Sequence, residues 1–70
     1  GESLIRLVHA LALYQSGDST KAREAIAIAR ARVLEQAAEL GPTLGKSFVE
    51  NVPDNARILE LASAWLGSSS

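Results

Sequence analysis

Between Tyr14 and Ala29 the chain reads YQSGDSTKAREAIAIA, and this run constrains the fold more than any other. An aromatic residue near the end of one helical pattern is followed by Gly17-Asp18. A second pattern then places Ala22, Ile26 and Ala29 on one face. A glycine just past a helix takes the left-handed backbone conformation that closes it, and Asp18, Ser19 and Thr20 are successive N-cap residues for the next helix. None completes a capping box, because the residues three positions on are Lys21, Ala22 and Arg23. Small side chains along the second helix let two antiparallel helices approach closely. The run predicts a helical hairpin used for packing and recognition, with no visible chemistry.

Hydrophobic periodicity extends this reading to an all-α fold. The first helix is expected over residues 3–16, with the Ser3 hydroxyl as its cap. Leu4, Leu7, Val8, Leu11 and Tyr14 or Gln15 follow the helical period, Ile5 and Ala12 widen the stripe, and Leu13 lies off it. Only Arg6, His9 and Gln15 interrupt the apolar circumference, and a helix apolar nearly all round is buried on more than one side. It therefore calls for a second neighbour. The second helix is expected over residues 19–40, with Ala22, Ala25, Ile26, Ala29, Val33, Ala37 and Leu40 facing inward. A further ridge of Ile28, Leu34, Ala31 and Ala38 predicts contact on another flank.

Gly41-Pro42 stops that helix. A short helix or turn over residues 43–51 carries Leu44, Phe48 and Val49, and Pro53 breaks it. The last helix is expected over residues 53–66, with Pro53 at its first position and Asp54 at the positive end of the dipole. Its stripe is Ile58, Leu59, Leu61, Ala62, Trp65 and Leu66. The opposite face has Arg57, Glu60, Ser63 and Ala64, as a capping helix facing water should. Gly67 to Ser70 reads as a frayed tail.

Seventy residues make one domain at most, and a chain this short buries only about 60% of its unfolded surface. It has no cysteine, so neither a disulfide nor a thiolate metal site reinforces it. Seven basic and eight acidic residues give a net charge of −1, against the clustered positive surface that nucleic acid requires. Lys21, Arg23, Arg30 and Arg32 share their helix with Glu24, Glu35 and Glu39, which reads as a solvated face. No segment reaches the ~18 apolar residues of a membrane span, and no signal peptide is visible. The absence of cysteine fits a cytoplasmic protein. The Gly-Glu-Ser start, with no methionine anywhere, suggests a piece of a longer protein, with Gly1 a cloning scar.

Candidate chemistry gives way to structural readings. GPTLGKS, from Gly41 to Ser47, resembles a phosphate-binding loop, but three residues separate its first Gly from Gly-Lys where the motif needs four. It also follows a helix where the motif needs a strand, and reads as a helix-breaking linker. His9 is the only histidine. Nothing places it with Ser3 and Asp18 as a triad, and a single histidine without cysteine makes no ordinary zinc site. It reads as a packing or surface residue. Glu35 and Glu39 lie one turn apart on a solvated helix, and Arg32 is placed to pair with Glu35. Trp65 falls on an apolar stripe and reads as core rather than hot spot, and Tyr14 as a packing residue with a free hydroxyl. No catalytic, cofactor or metal residues are assigned, and no enzyme activity is expected.

The first two helices resemble one tetratricopeptide-type repeat. The Gly-Asp turn with Ala22, Ile26 and Ala29 matches its second helix, and Tyr14, preceded by Leu7, Ala10 and Leu11, matches the aromatic of its first. The turn is one residue shorter than in the family, Leu7 stands at the tryptophan position, and no proline closes the second helix near Leu34. The match covers about half the chain. SFVENVPDNARILELA, with Phe48, Val52, Pro53, Asn55 and Leu59, resembles the C-terminal end of helical-repeat tails on large bacterial signalling proteins, multidomain ATPases and kinases. The resemblance implies a last repeat with its capping helix. Catalysis in such proteins resides in other domains.

The sequence thus points to a tetratricopeptide-like helical hairpin with a short connecting helix and a C-terminal capping helix. Its expected role is a non-catalytic protein-interaction, scaffold or array-capping module, with another protein or an upstream repeat of the same protein as partner. Ile5, Val8, Ala12 and Gln15 are the expected partner-facing row. The rival reading is a self-association domain, a two-fold homodimer burying Leu4, Ile5, Val8, Leu11 and Ala12 isologously.

Overall fold

The computed structural model describes residues 1–67, which form four α-helices and no strand: α1 (Glu2–Gln15), α2 (Ser19–Leu40), α3 (Pro42–Glu50) and α4 (Pro53–Leu66). The fold is all-α. The α1–α2 turn is closed as the sequence predicts. Gly17 has φ +90°, its amide donates to the Tyr14 carbonyl at 3.1 Å, and the Asp18 amide donates to the Leu13 carbonyl at 3.1 Å. That pair of reversed hydrogen bonds is the Schellman arrangement. Of the three N-cap residues proposed for α2, Asp18 serves: its carboxylate accepts the Lys21 amide at 3.1 Å.

The expected cap of α1 is corrected. Gly1 occupies the N-cap without a side-chain bond, and Ser3 lies inside the helix, where its hydroxyl donates to Asn55 at 2.5 Å. The helix starts one residue before Ser3, so Ser3 is no longer at the capping position and its hydroxyl is free to bond the buried Asn55 side chain.

Three long-range links set the helix directions. Glu2, at the start of α1, reaches Arg32 in the second half of α2, so these helices run antiparallel. Ser3 meets Asn55 at the starts of α1 and α4, and Tyr14 meets Trp65 near their ends, so α1 and α4 run parallel. The core lies where both cross α2. Leu7 and Ala10 of α1, Ile26, Ala29 and Val33 of α2, and Ile58, Leu61 and Ala62 of α4 form one buried cluster, with Leu11, Ala25, Phe48, Val49 and Trp65 packed at its margin. Ala22 is fully buried as well.

The expected linker after α2 is confined to one residue. Gly41 breaks the helix, and Pro42 starts α3 at once because its fixed φ suits a first helical position. Residues 43–51, expected as a short helix or turn, lie in this nine-residue helix and its C-cap, Asn51. Gly45 is the reason α3 lies so close to α2: a Cβ at Gly45 would stand 2.4 Å from the Ala37 carbonyl oxygen.

Cα extents of 38 × 28 × 16 Å leave room for two helices in the thin direction, since packed helix axes lie about 8–10 Å apart. Every helix therefore meets solvent. This explains two further departures. Leu40, expected inside, is 44% exposed, because the 22-residue α2 outruns the 14-residue α1 and its last turn is covered only by α3. The ridge of Ile28, Ala31, Leu34 and Ala38 is exposed rather than closed by a neighbouring helix, with Ile28 at a groove toward α1 and Leu34 and Ala38 at a groove toward α3. The expected tail keeps only Gly67, the C-cap of α4; Ser68 to Ser70 lie outside the described residues.

Candidate interaction surface

The outer side of α1 is an apolar strip without a cover. Ile5 is 71% exposed and Val8 54%, beside Leu4 at 46%, and Ala12 and Gln15 are exposed on the same side. Leu7 and Ala10, on the opposite side, are 7% and 0% exposed. The helix is therefore two-faced, with an inner stripe closed by α2 and α4 and an outer stripe of comparable apolarity that the described chain leaves open. The four residues of the expected row share this open face. Leu11, grouped with them in the dimer reading, is half-buried against the core.

Alongside this strip, α1 and α2 bound a groove of ≈ 440 Å³ lined by Arg6, His9, Leu13, Lys21, Glu24, Ala25 and Ile28. His9 is thus a surface residue at a groove, which settles its two readings in favour of the surface. Sequence reasoning did not assign this groove. Its available signal was Leu13, an apolar residue off the main α1 stripe, and Ile28, off the main α2 face: each points to the seam between the helices. A second groove lies between α2 and α3 and includes Leu34, Ala38 and Lys46.

The electrostatics of the surface are local. The Glu2 carboxylate accepts from Arg6 at 2.8 Å and from Arg32 at 3.0 Å, and Arg32 also pairs with Glu35 as the sequence spacing predicts. The Arg32 and Arg6 hydrogen bonds hold the Glu2 carboxyl well below its ordinary value, at about 2; Glu2 and Glu35 in turn push the Arg32 guanidinium up. Arg57 pairs with Glu60 on α4. At the far end of α1 the Tyr14 and Trp65 rings are stacked with centroids 4.5 Å apart and planes 5° apart. Trp65 packs against the core, as expected, while Tyr14 is 52% exposed.

The residues weighed for catalysis are dispersed. Ser3 and Asp18 sit at opposite ends of α1, and each is already committed, Ser3 to Asn55 and Asp18 to the α2 amide. In GPTLGKS the Gly45 amide donates to the Gly41 carbonyl at 2.7 Å inside α3, so it does not point at a phosphate. Among the described residues no three His, Asp or Glu side chains gather as a metal group, and no helix is long and apolar enough to cross a membrane. No protein-family profile, curated protein or solved structure matches this chain.

Proposed function

We propose that this domain is a non-catalytic protein-interaction module that receives a helix against the outer face of α1. The observation that carries the reading is the exposure of Ile5 and Val8, 71% and 54%, on a helix whose opposite side is closed. Monomeric surfaces rarely keep contiguous apolar patches without a use, and a strip one helix wide suits another helix lying along it. The arrangement of α1 and α4, parallel to each other and both packed on α2, is how successive units of a helical solenoid stack. This supports the tetratricopeptide-like reading, in which the module ends a helical array of a larger cytoplasmic signalling protein and the preceding unit lies on α1.

The test is an apolar fluorescent dye and the double variant Ile5→Glu/Val8→Glu. The native chain should bind the dye in its folded state, and the variant should lose that binding while keeping its helicity and melting temperature, since surface substitutions cost about 0.5 kcal/mol or less. A variant that unfolds would mean that the row belongs to the structural core. Unchanged dye binding would place the sticky surface elsewhere. Either result sinks the proposal.

A further inference from the structure

Basic residues lie on two flanks of α2, and the chain treats the flanks differently. Lys21 borders the α1–α2 groove and pairs with Asp18, and Arg32 pairs with Glu2 of α1 and with Glu35. Arg23 stands two positions after Lys21, and Arg30 two before Arg32. At about 100° per residue, a step of two crosses to the other side of a helix. Both arginines therefore lie on the flank away from α1, and both are exposed. Arg6 and Arg57 also pair within the chain, with Glu2 and Glu60. Among the described residues Arg23, Arg30 and Lys46 meet no carboxylate.

These three cations share one face. Arg23, Ala27, Arg30 and Leu34 advance by four, three and four residues, the alternation along which a second helix packs, and all four are exposed. Leu34 then opens into the shallow groove between α2 and α3, where Ala38, Pro42 and Val49 add apolar surface beside Lys46 and Glu50. The face thus sets Arg23, Arg30 and Lys46 against the single carboxylate of Glu50, next to an apolar floor. Small Ala27 between the two arginines leaves room for a close approach. A nucleic-acid strand gains little here, because the cations are few and the floor offers nothing to a phosphate. A helix with both acidic and apolar side chains satisfies both parts.

We propose that the α2–α3 face docks an acidic amphipathic helix of a partner protein, with its carboxylates on Arg23, Arg30 and Lys46 and an apolar side chain in the groove at Leu34. Arginine holds a carboxylate through two parallel N–H donors. Arg23 and Arg30 are about 10.5 Å apart along the helix axis, so carboxylates seven positions apart on the partner meet both. The surface is separate from the outer row of α1 and does not depend on it. Its cations are exposed, so the binding is reversible and weakens with salt.

Fluorescence anisotropy with designed helical peptides of about 21 residues tests this. One peptide alternates leucine and glutamate along its heptad seam, and a second has lysine in place of glutamate. At low salt the acidic peptide should bind at least about tenfold more tightly than the basic one, since like charges brought together cost several-fold more than an exposed pair gains. Arg23→Glu/Arg30→Glu should reverse that preference. Arg23→Gln/Arg30→Gln, which keeps long polar side chains at both sites, should erase it, and Lys46→Gln should weaken the acidic peptide up to about fivefold. Ile5→Glu/Val8→Glu should leave the binding unchanged, which separates this face from the α1 row. Circular dichroism checks that each variant keeps its helices. Failure of the acidic peptide to bind at about 1 mM, equal binding of the two peptides, or binding indifferent to Arg23 and Arg30 overturns the proposal. So does tighter binding of a thymidine oligonucleotide than of the acidic peptide, which would make the face a phosphate-binding surface.

Discussion

Ser3 and Asn55, 52 positions apart in the chain, are joined by a hydrogen bond of 2.5 Å from the serine hydroxyl to the asparagine carbonyl oxygen. Asn55 is 1% exposed, and its amide group donates to the Phe48 carbonyl at 2.9 Å. One buried side chain thus ties the start of α1 and the start of α4 to the end of α3. A polar group in such a place stabilises only while its partners are present, because each partner left behind bears the cost of its own desolvation.

Asn55→Ala should therefore destabilise the domain by about 1–3 kcal/mol, a large share of what a chain this size possesses. Asn55→Asp should do worse, since it keeps the acceptor for Ser3 but faces the Phe48 carbonyl with a second acceptor and buries a charge. Ser3→Ala should cost less than Asn55→Ala, because it removes one of the two bonds. Urea unfolding followed by helicity gives the order, and a neutral Asn55→Ala would show that the three helices are held by apolar contact alone.

The Tyr14–Trp65 stack couples the far ends of the same two helices. Offset aromatic pairs contribute about 0.5–1.5 kcal/mol beyond burial. A double-mutant cycle with Tyr14→Leu and Trp65→Leu should recover a coupling of that size. Trp65 is the only tryptophan, so Tyr14→Leu should also change the emission of the folded chain. Strict additivity of the two substitutions would mean that the rings touch without stabilising each other.

Gly45 makes a prediction against helix propensity. On propensity alone Gly45→Ala would stabilise α3 by about 1 kcal/mol. The added Cβ, however, would meet the Ala37 carbonyl oxygen at 2.4 Å, and a backbone atom cannot swing aside as a side chain can. The helices must part, uncovering Phe48 and Val49 at the core margin. The substitution should lower the melting temperature. Gly45→Val should lower it further, and a rise with alanine would refute the close contact.

These cases mark what was legible in the sequence. Helix number and bounds within a residue or two followed from periodicity and from Gly17, Asp18, Pro42 and Pro53, all of which act on their own neighbourhood. The inner stripe of α2 was legible through Val33, and it failed at Leu40, because coverage depends on how far α1 extends alongside. Ser3 was legible as a cap by residue type, yet its hydrogen bond goes to a residue at the far end of the chain, which no local pattern encodes. Gly45 looked like part of a linker for the same reason: its role is set by Ala37 on another helix. The open row on α1 was legible because an apolar circumference exceeds what one contact can bury, whereas the groove beside it needs two helices set side by side.

The ion cluster at the start of α1 gives the domain an acid sensitivity of known direction. Hydrogen bonds from Arg32 and then Arg6 hold the Glu2 carboxyl at about 2, below its ordinary 4.5. A carboxylate with a lowered folded-state value binds protons more readily when unfolded, so its contribution is complete above pH 4.5 and declines as pH falls toward 2. Arg32, raised from an already high value, stays charged across this window and adds no slope. Glu2 and Arg32 are 41% and 39% exposed, so water and salt screen the pair and the effect is modest. Unfolding curves between pH 5 and pH 2 should show a native stability that falls more steeply than that of Glu2→Gln, and the two should converge at the acid end. About 1 M salt should narrow the gap, since it shortens the screening length to about 3 Å. Equal slopes for the two proteins at low salt would show that the Glu2–Arg32 link between α1 and α2 does not persist in solution.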